Sequence, residues 1–158
     1  MAASKDLSEN QHFLIGLIEP YIMGAEEQLN RVLVIHACIK DPNRYTVTQH
    51  HMFTYELSSL LEHLNMITKY RSNTNLTRIA LEQKINDFRN EIRHTGRFDK
   101  ESEERSKRLG KSPKLIFELQ ITDSGIRIGT TNLAFKEIDS YIQQIKIELH
   151  SLLNLNNS

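Results

Sequence analysis

Phe88-Arg89-Asn90-Glu91-Ile92-Arg93-His94 closes a segment whose apolar residues, Leu81, Ile85, Phe88 and Ile92, are spaced four, three and four apart. That spacing gathers them into one stripe of an α-helix. At about 100° per residue, Arg89, Asn90, Arg93 and His94 share an arc of roughly 140° beside the stripe. Arg89 and Arg93 are i,i+4 neighbours, as are Asn90 and His94. The helix can therefore anchor itself through its apolar face while four polar groups converge on one ligand. A guanidinium can grip a phosphate with two donors, and an imidazole can move a proton near neutral pH. Arg and His on a helix surface are also commonly no more than solvated side chains.

The same periodic reading extends outward. Ser8 followed by Gln11 resembles a capping box, and a first helix is expected from there to about Lys40, bent or restarted at Pro20. Asp41-Pro42-Asn43 reads as a turn. A second helix is expected over about 47–70, with Phe53, Leu57, Leu60, Leu61, Leu64 and Ile67 as its buried face. A loop from Arg71 leads to the motif-bearing helix, capped by Thr74 or Asn75 and ending near Gly96. Residues 97–113 are charged and irregular, with a helical turn or two over Glu101–Leu109. Residues 114–121 and 126–131 have a β-like period and are joined by Thr122-Asp123-Ser124-Gly125, a hairpin signal. A last helix over about 133–154 buries Ile138, Tyr141, Ile142, Ile145, Leu149 and Leu152. The expected fold is mainly α: one domain over 1–158, an antiparallel four-to-five-helix bundle with a short inserted β-hairpin at about 114–131.

The chain carries 20 basic and 20 acidic residues, so its total charge does not announce a nucleic-acid binder. The distribution is uneven. Residues 89–114 hold nine Lys or Arg against five acids, a net of +4, which suits either an anionic ligand or a solvated charged loop. Cys38 is the single cysteine. It stands in an apolar run and is expected as a small buried hydrophobe. Without a disulfide framework the chain is compatible with the cytoplasm. Met1–Asn10 lacks the form of a signal peptide, and Phe13–Ala25 is too short and too interrupted to span a bilayer. A soluble protein is expected.

Glu56, His63 and Tyr70 recur every seven residues on the second helix. They are either boundary residues with wet tips or a flank lying near Arg89 and His94, where Glu56 could hold the arginine or orient a base. Glu91 and His94 make one Glu-x-x-His; a di-iron bundle needs two, with two further glutamates. No metal ligand set and no cofactor is expected, and no Gly-rich phosphate loop or nucleophile elbow is present.

Arg89-Asn90-x-x-x-His94, behind an aromatic residue on an amphipathic helix, resembles the motif of the HEPN superfamily. The resemblance rests on six residues together with the helical context. It implies an α-helical domain, a metal-independent endoribonuclease of toxin or antiviral type, and a homodimer that joins two motifs in one cleft. It also implies His94 as general base or acid, Arg89 as stabiliser of phosphoryl charge, and Asn90 orienting His94 or binding a ribose or phosphate oxygen. Arg93 would contact a backbone phosphate, with Glu56 and His63 as candidate supporting groups. RNA is the implied partner, with an antitoxin or regulatory protein as a further one. The rival reading is a non-catalytic helical module that binds RNA, a nucleotide or a protein through the same basic arc. A purely structural dimer, with Arg89 and His94 in interface hydrogen bonds, is a third.

Overall fold

The computed structural model describes residues 2–39, 41, 44–73, 79–94, 97–112 and 119–157, with side chains for 16–39, 41, 44–72, 79–94, 97–112 and 119–151. It is mainly helical: α1 (Ala2–Cys38), α2 (Val47–Asn73), α3 (Ala80–Arg93), α4 (Lys100–Leu109) and α5 (Phe135–Asn157), with β1 (Leu119–Ile121), β2 (Gly125–Ile128) and β3 (Thr131–Ala134) between α4 and α5.

On α1, Ile18, Ile22, Ala25, Leu29 and Val32 alternate four- and three-residue spacings, and all are buried. They meet the predicted face of α2, where Phe53, Leu57, Leu60, Leu61, Leu64 and Ile67 are fully buried. The two helices touch closely at Gly24, where an added Cβ would lie 2.5 Å from the His63 ring. Ile85 and Phe88 of α3 complete this layer, and Ile138, Tyr141, Ile142, Ile145 and Leu149 of α5 close the core. Leu152 lies outside the described side chains.

Several boundaries differ from the sequence reading. Pro20 sits inside one continuous α1 rather than restarting it. Cys38 is exposed, not buried; as a residue of the last turn of α1 it falls off the buried stripe. α2 runs past Arg71 to Asn73, because Arg71 is not a loop residue. It is buried, and it donates to Glu82 Oε1 at 2.7 Å and Glu148 Oε2 at 3.1 Å. Glu82 also accepts from the Tyr141 hydroxyl at 2.7 Å and from the Ile79 N–H at 3.0 Å. This buried set joins α2, α3 and α5, and burial beside Glu82 raises the Tyr141 phenol far above its ordinary pKa. Ile79, not Thr74 or Asn75, caps α3, and Glu82 takes the cap N–H; residues 74–78 lie outside the described set.

The hairpin gains a third strand. The sheet order is β1-β2-β3, antiparallel throughout, with Ile121 opposite Ile126 and Ile128 opposite Thr131. Residues 113–118, the expected start of the first strand, lie outside the described set. Gly129 turns β2 into β3 with φ of +61°, a conformation that favours glycine. A Cβ there would meet Leu109 O at 2.6 Å. The turn lies against the end of α4, where Leu109 O accepts from Thr130 N at 3.0 Å and Thr131 Oγ1 at 3.0 Å. α4 is itself a complete helix, capped by Asp99, which accepts from Ser102 N, and ended by left-handed Gly110. Among the described residues, no helix is long and apolar enough to cross a membrane.

Candidate functional site

Arg89 emerges from α3 toward α2. Its Nε donates to Glu62 Oε1 at 3.0 Å and its Nη2 to Glu62 Oε2 at 3.2 Å, while Nη1 donates to Asn90 Oδ1 at 2.8 Å. The arginine side chain is 15% exposed and that of Glu62 is 45% exposed. Arg93, one turn on, approaches the same carboxylate at 3.6 Å. Arg89, Arg93 and Glu62, with Ser58, Leu61 and Ile92, line an open cleft of about 230 Å³ between α2 and α3. A guanidinium has five N–H donors; among the described residues three are engaged, leaving one on each terminal nitrogen.

His94 stands at the end of α3 as its C-cap, with φ of −111° and ψ of 32°, and its N–H donates to Asn90 O. The ring is half-buried and makes no hydrogen bond among the described residues. Burial first, then the positive charges of Arg97, Arg93, Arg105 and Arg89, hold its pKa below the ordinary imidazole value. An unengaged ring kept neutral at pH 7 is the form a general base requires.

The predicted residues thus separate into two groups. Arg89, Asn90 and Arg93 come together, with His94 beyond them at the helix end. Asn90 does not orient the His94 ring: its Oδ1 is taken by Arg89 and its Nδ2 donates to Asn86 Oδ1 at 3.4 Å. The adjacent guanidinium is the stronger donor, because its hydrogen bond is charge-assisted. Glu56 and His63 do not join the site. His63 packs on α1, against Gly24 and edge-on to Tyr21, with Nδ1 2.7 Å from Ser59 O. Glu56 lines a separate depression with Ile35, His51, Met52 and Tyr55. That flank of α2 faces α1, whereas the Ser58–Glu62 flank faces α3.

Glu62 was legible only as one of the two carboxylates of α2; periodicity drew the choice to the other. The basic run beyond the motif turns inward onto the acids of α3. Arg108 donates to Asp87 from Nε at 2.9 Å and Nη2 at 2.8 Å. Arg105 Nε donates to Glu91 Oε2 at 3.0 Å, and Lys111 Nζ donates to Glu91 Oε1. The run is therefore in large part a clasp between α3 and α4, and it also accounts for Glu91, which serves these cations rather than a metal with His94. Among the described residues no group of His, Cys, Asp or Glu could hold a metal ion.

No family model matches the chain, and neither the curated proteins nor the solved structures contain a match to it.

Proposed function

We propose that this chain is a metal-independent endoribonuclease of HEPN type. The observation that carries the reading is the grip of Glu62 on the Nε–Nη2 edge of Arg89. That grip fixes the guanidinium plane while one N–H on each terminal nitrogen stays free for phosphoryl oxygens. Donors held in place before the reaction stabilise developing charge without reorganising. His94, neutral and unengaged, takes the proton of a ribose 2′-hydroxyl. The new bond runs from O2′ to phosphorus, the bond to the 5′-oxygen breaks, and a proton returns to that oxygen from a second acid. In the composite arrangement that acid is the second copy's His94 in its protonated, imidazolium form. The product is a 2′,3′-cyclic phosphate and a 5′-hydroxyl end. A homodimer, a toxin or antiviral role and an antitoxin partner belong to this proposal by the motif's resemblance, and a cytoplasmic setting by the single cysteine, which allows no internal disulfide.

The rival, a binding module without catalysis, draws support from a specific feature: Glu62 already neutralises Arg89, and Asn90 serves the arginine rather than the imidazole. Incubating the protein with total RNA in chelator and analysing the new ends separates the two. Cyclic-phosphate ends that vanish in His94→Ala support cleavage; binding without new ends supports the module.

A further inference from the structure

Two carboxylates at the motif end of α3 each carry two cations. Glu62 holds Arg89 and Arg93; Glu91 holds Arg105 and Lys111. Four positive charges therefore meet two negative ones. The C-terminal end of a helix contributes about half a negative charge, which leaves the surplus largely uncancelled. A surplus of this kind, with three of its four cations hydrogen-bonded to carboxylates, suits an anion.

Arg105 is one of the two arms of this cluster that lie outside the sequence motif. Its side chain is 7% exposed, so α3 and α4 hold it still. Only its Nε is spent, on Glu91. The terminal nitrogens donate to no group among the described residues. A guanidinium anchored through Nε with both terminal nitrogens unengaged among the described residues is set for two oxygens of one phosphate. Lys111 differs: it is buried on Glu91 and its single nitrogen is engaged there.

The placement follows from helix geometry. At about 100° per residue, His94 lies about 60° from Glu91 and about 100° from Arg93 around α3. His94 therefore falls between the pair of cations on Glu62 and the pair on Glu91. Arg105 is also among the charges that lower the His94 pKa, as a neighbour of the ring must be.

We propose that Arg105 binds a backbone phosphate next to the scissile one, so that an RNA strand crosses His94 from the Arg89 cleft to α4. This rests on the ribonuclease reading above. For single strands each phosphate contact contributes about 0.7 to the slope of log K against log salt. Loss of one contact therefore costs about fivefold in affinity at 0.1 M salt.

The test is binding of a 2′-O-methyl RNA 12-mer, which cannot be cleaved through its 2′-oxygen, across a salt series. Arg105→Gln should bind about fivefold more weakly at 0.1 M salt with the slope reduced by about 0.7. Lys107→Gln, an exposed residue of the same helix paired with Glu103, should change little. A folded Arg105→Gln with the wild-type slope overturns the proposal and leaves the ribonuclease reading standing. If the variant does not fold, the wild-type protein decides: the Arg105 Nε–H NMR signal should shift on adding the 12-mer, and an unmoved signal overturns the proposal. If the wild type binds no RNA at all, the ribonuclease reading fails by itself. Inorganic pyrophosphate then replaces the 12-mer: a shifted Arg105 signal keeps the anion site, and a silent one removes it.

Discussion

Arg89→Ala separates what one side chain does for stability from what it does for chemistry. The substitution removes two hydrogen bonds to Glu62, at 3.0 and 3.2 Å, and one to Asn90 at 2.8 Å. A hydrogen bond to a charged group contributes about 1.5–3 kcal/mol when buried. Glu62 is 45% exposed and regains water when its partner leaves, so the pair belongs nearer the exposed limit of about 1 kcal/mol. The combined loss is about 1–2 kcal/mol. For a chain of this length about 1 kcal/mol moves Tm by about 3 °C, so Arg89→Ala should melt about 3–6 °C lower. Removing a preorganised donor to a transition-state oxyanion costs about 10²–10³ in rate, so cleavage should fall at least a hundredfold at 25 °C, where the variant remains folded. Arg89→Lys is the sharper probe. Lysine keeps a charge beside Glu62, so Tm should fall by less than about 3 °C. Its compact ammonium cannot hold Glu62 and two phosphoryl oxygens together, and activity should still drop about a hundredfold. Circular-dichroism melts paired with cleavage assays read both quantities. A fully active lysine variant would reduce Arg89 to a source of positive potential. Unfolding of both variants at 25 °C would make it a structural tie between α2 and α3.

Tyr141→Phe removes the buried hydrogen bond to Glu82 and should cost about 1.5–3 kcal/mol, seen as a Tm lower by about 5–9 °C; an unchanged Tm would deny the network its role. Glu91→Ala leaves Arg105 and Lys111 facing each other without their carboxylate and should cost about 3–5 kcal/mol; a loss below about 1 kcal/mol in urea unfolding would contradict the clasp. The His94 pKa is lowered by burial and by Arg97, Arg93, Arg105 and Arg89, so its NMR titration midpoint should lie below about 6.5 and rise in Arg97→Gln. A depressed imidazole pKa means the folded state binds fewer protons, so the associated stability is present above the unfolded pKa and is lost as pH falls through the folded one. A midpoint at or above about 6.5 would refute the assignment of causes.

The helical layers were legible because their signal is periodic. Phe53 to Ile67 and Ile138 to Leu149 place buried residues three or four positions apart, with one adjacent pair in each helix, and burial of that stripe dictates how the helices pack. The third strand was not legible, since Thr131–Ala134 runs into α5 without a break and is defined by pairing with β2. In the site, Arg89, Asn90 and Arg93 were legible as a helical arc, because their spacing is local. Their partners were not. Whether Glu56 or Glu62 meets Arg89 depends on which flank of α2 faces α3, a tertiary fact. The inward turn of Arg105, Arg108 and Lys111 likewise depends on α4 folding back along α3, and a linear count of charge cannot show it.

The proposal that Arg89 and His94 cleave RNA without a metal is tested by the ends that cleavage leaves. Purified protein is incubated with a single-stranded RNA in excess EDTA, beside His94→Ala, and the new 3′ ends are identified by mass spectrometry. Metal-independent attack by the 2′-hydroxyl gives 2′,3′-cyclic phosphate ends from the wild type and a loss of about 10²–10⁴-fold in the variant. Cleavage that requires added magnesium, or that proceeds unchanged without the imidazole, would contradict it.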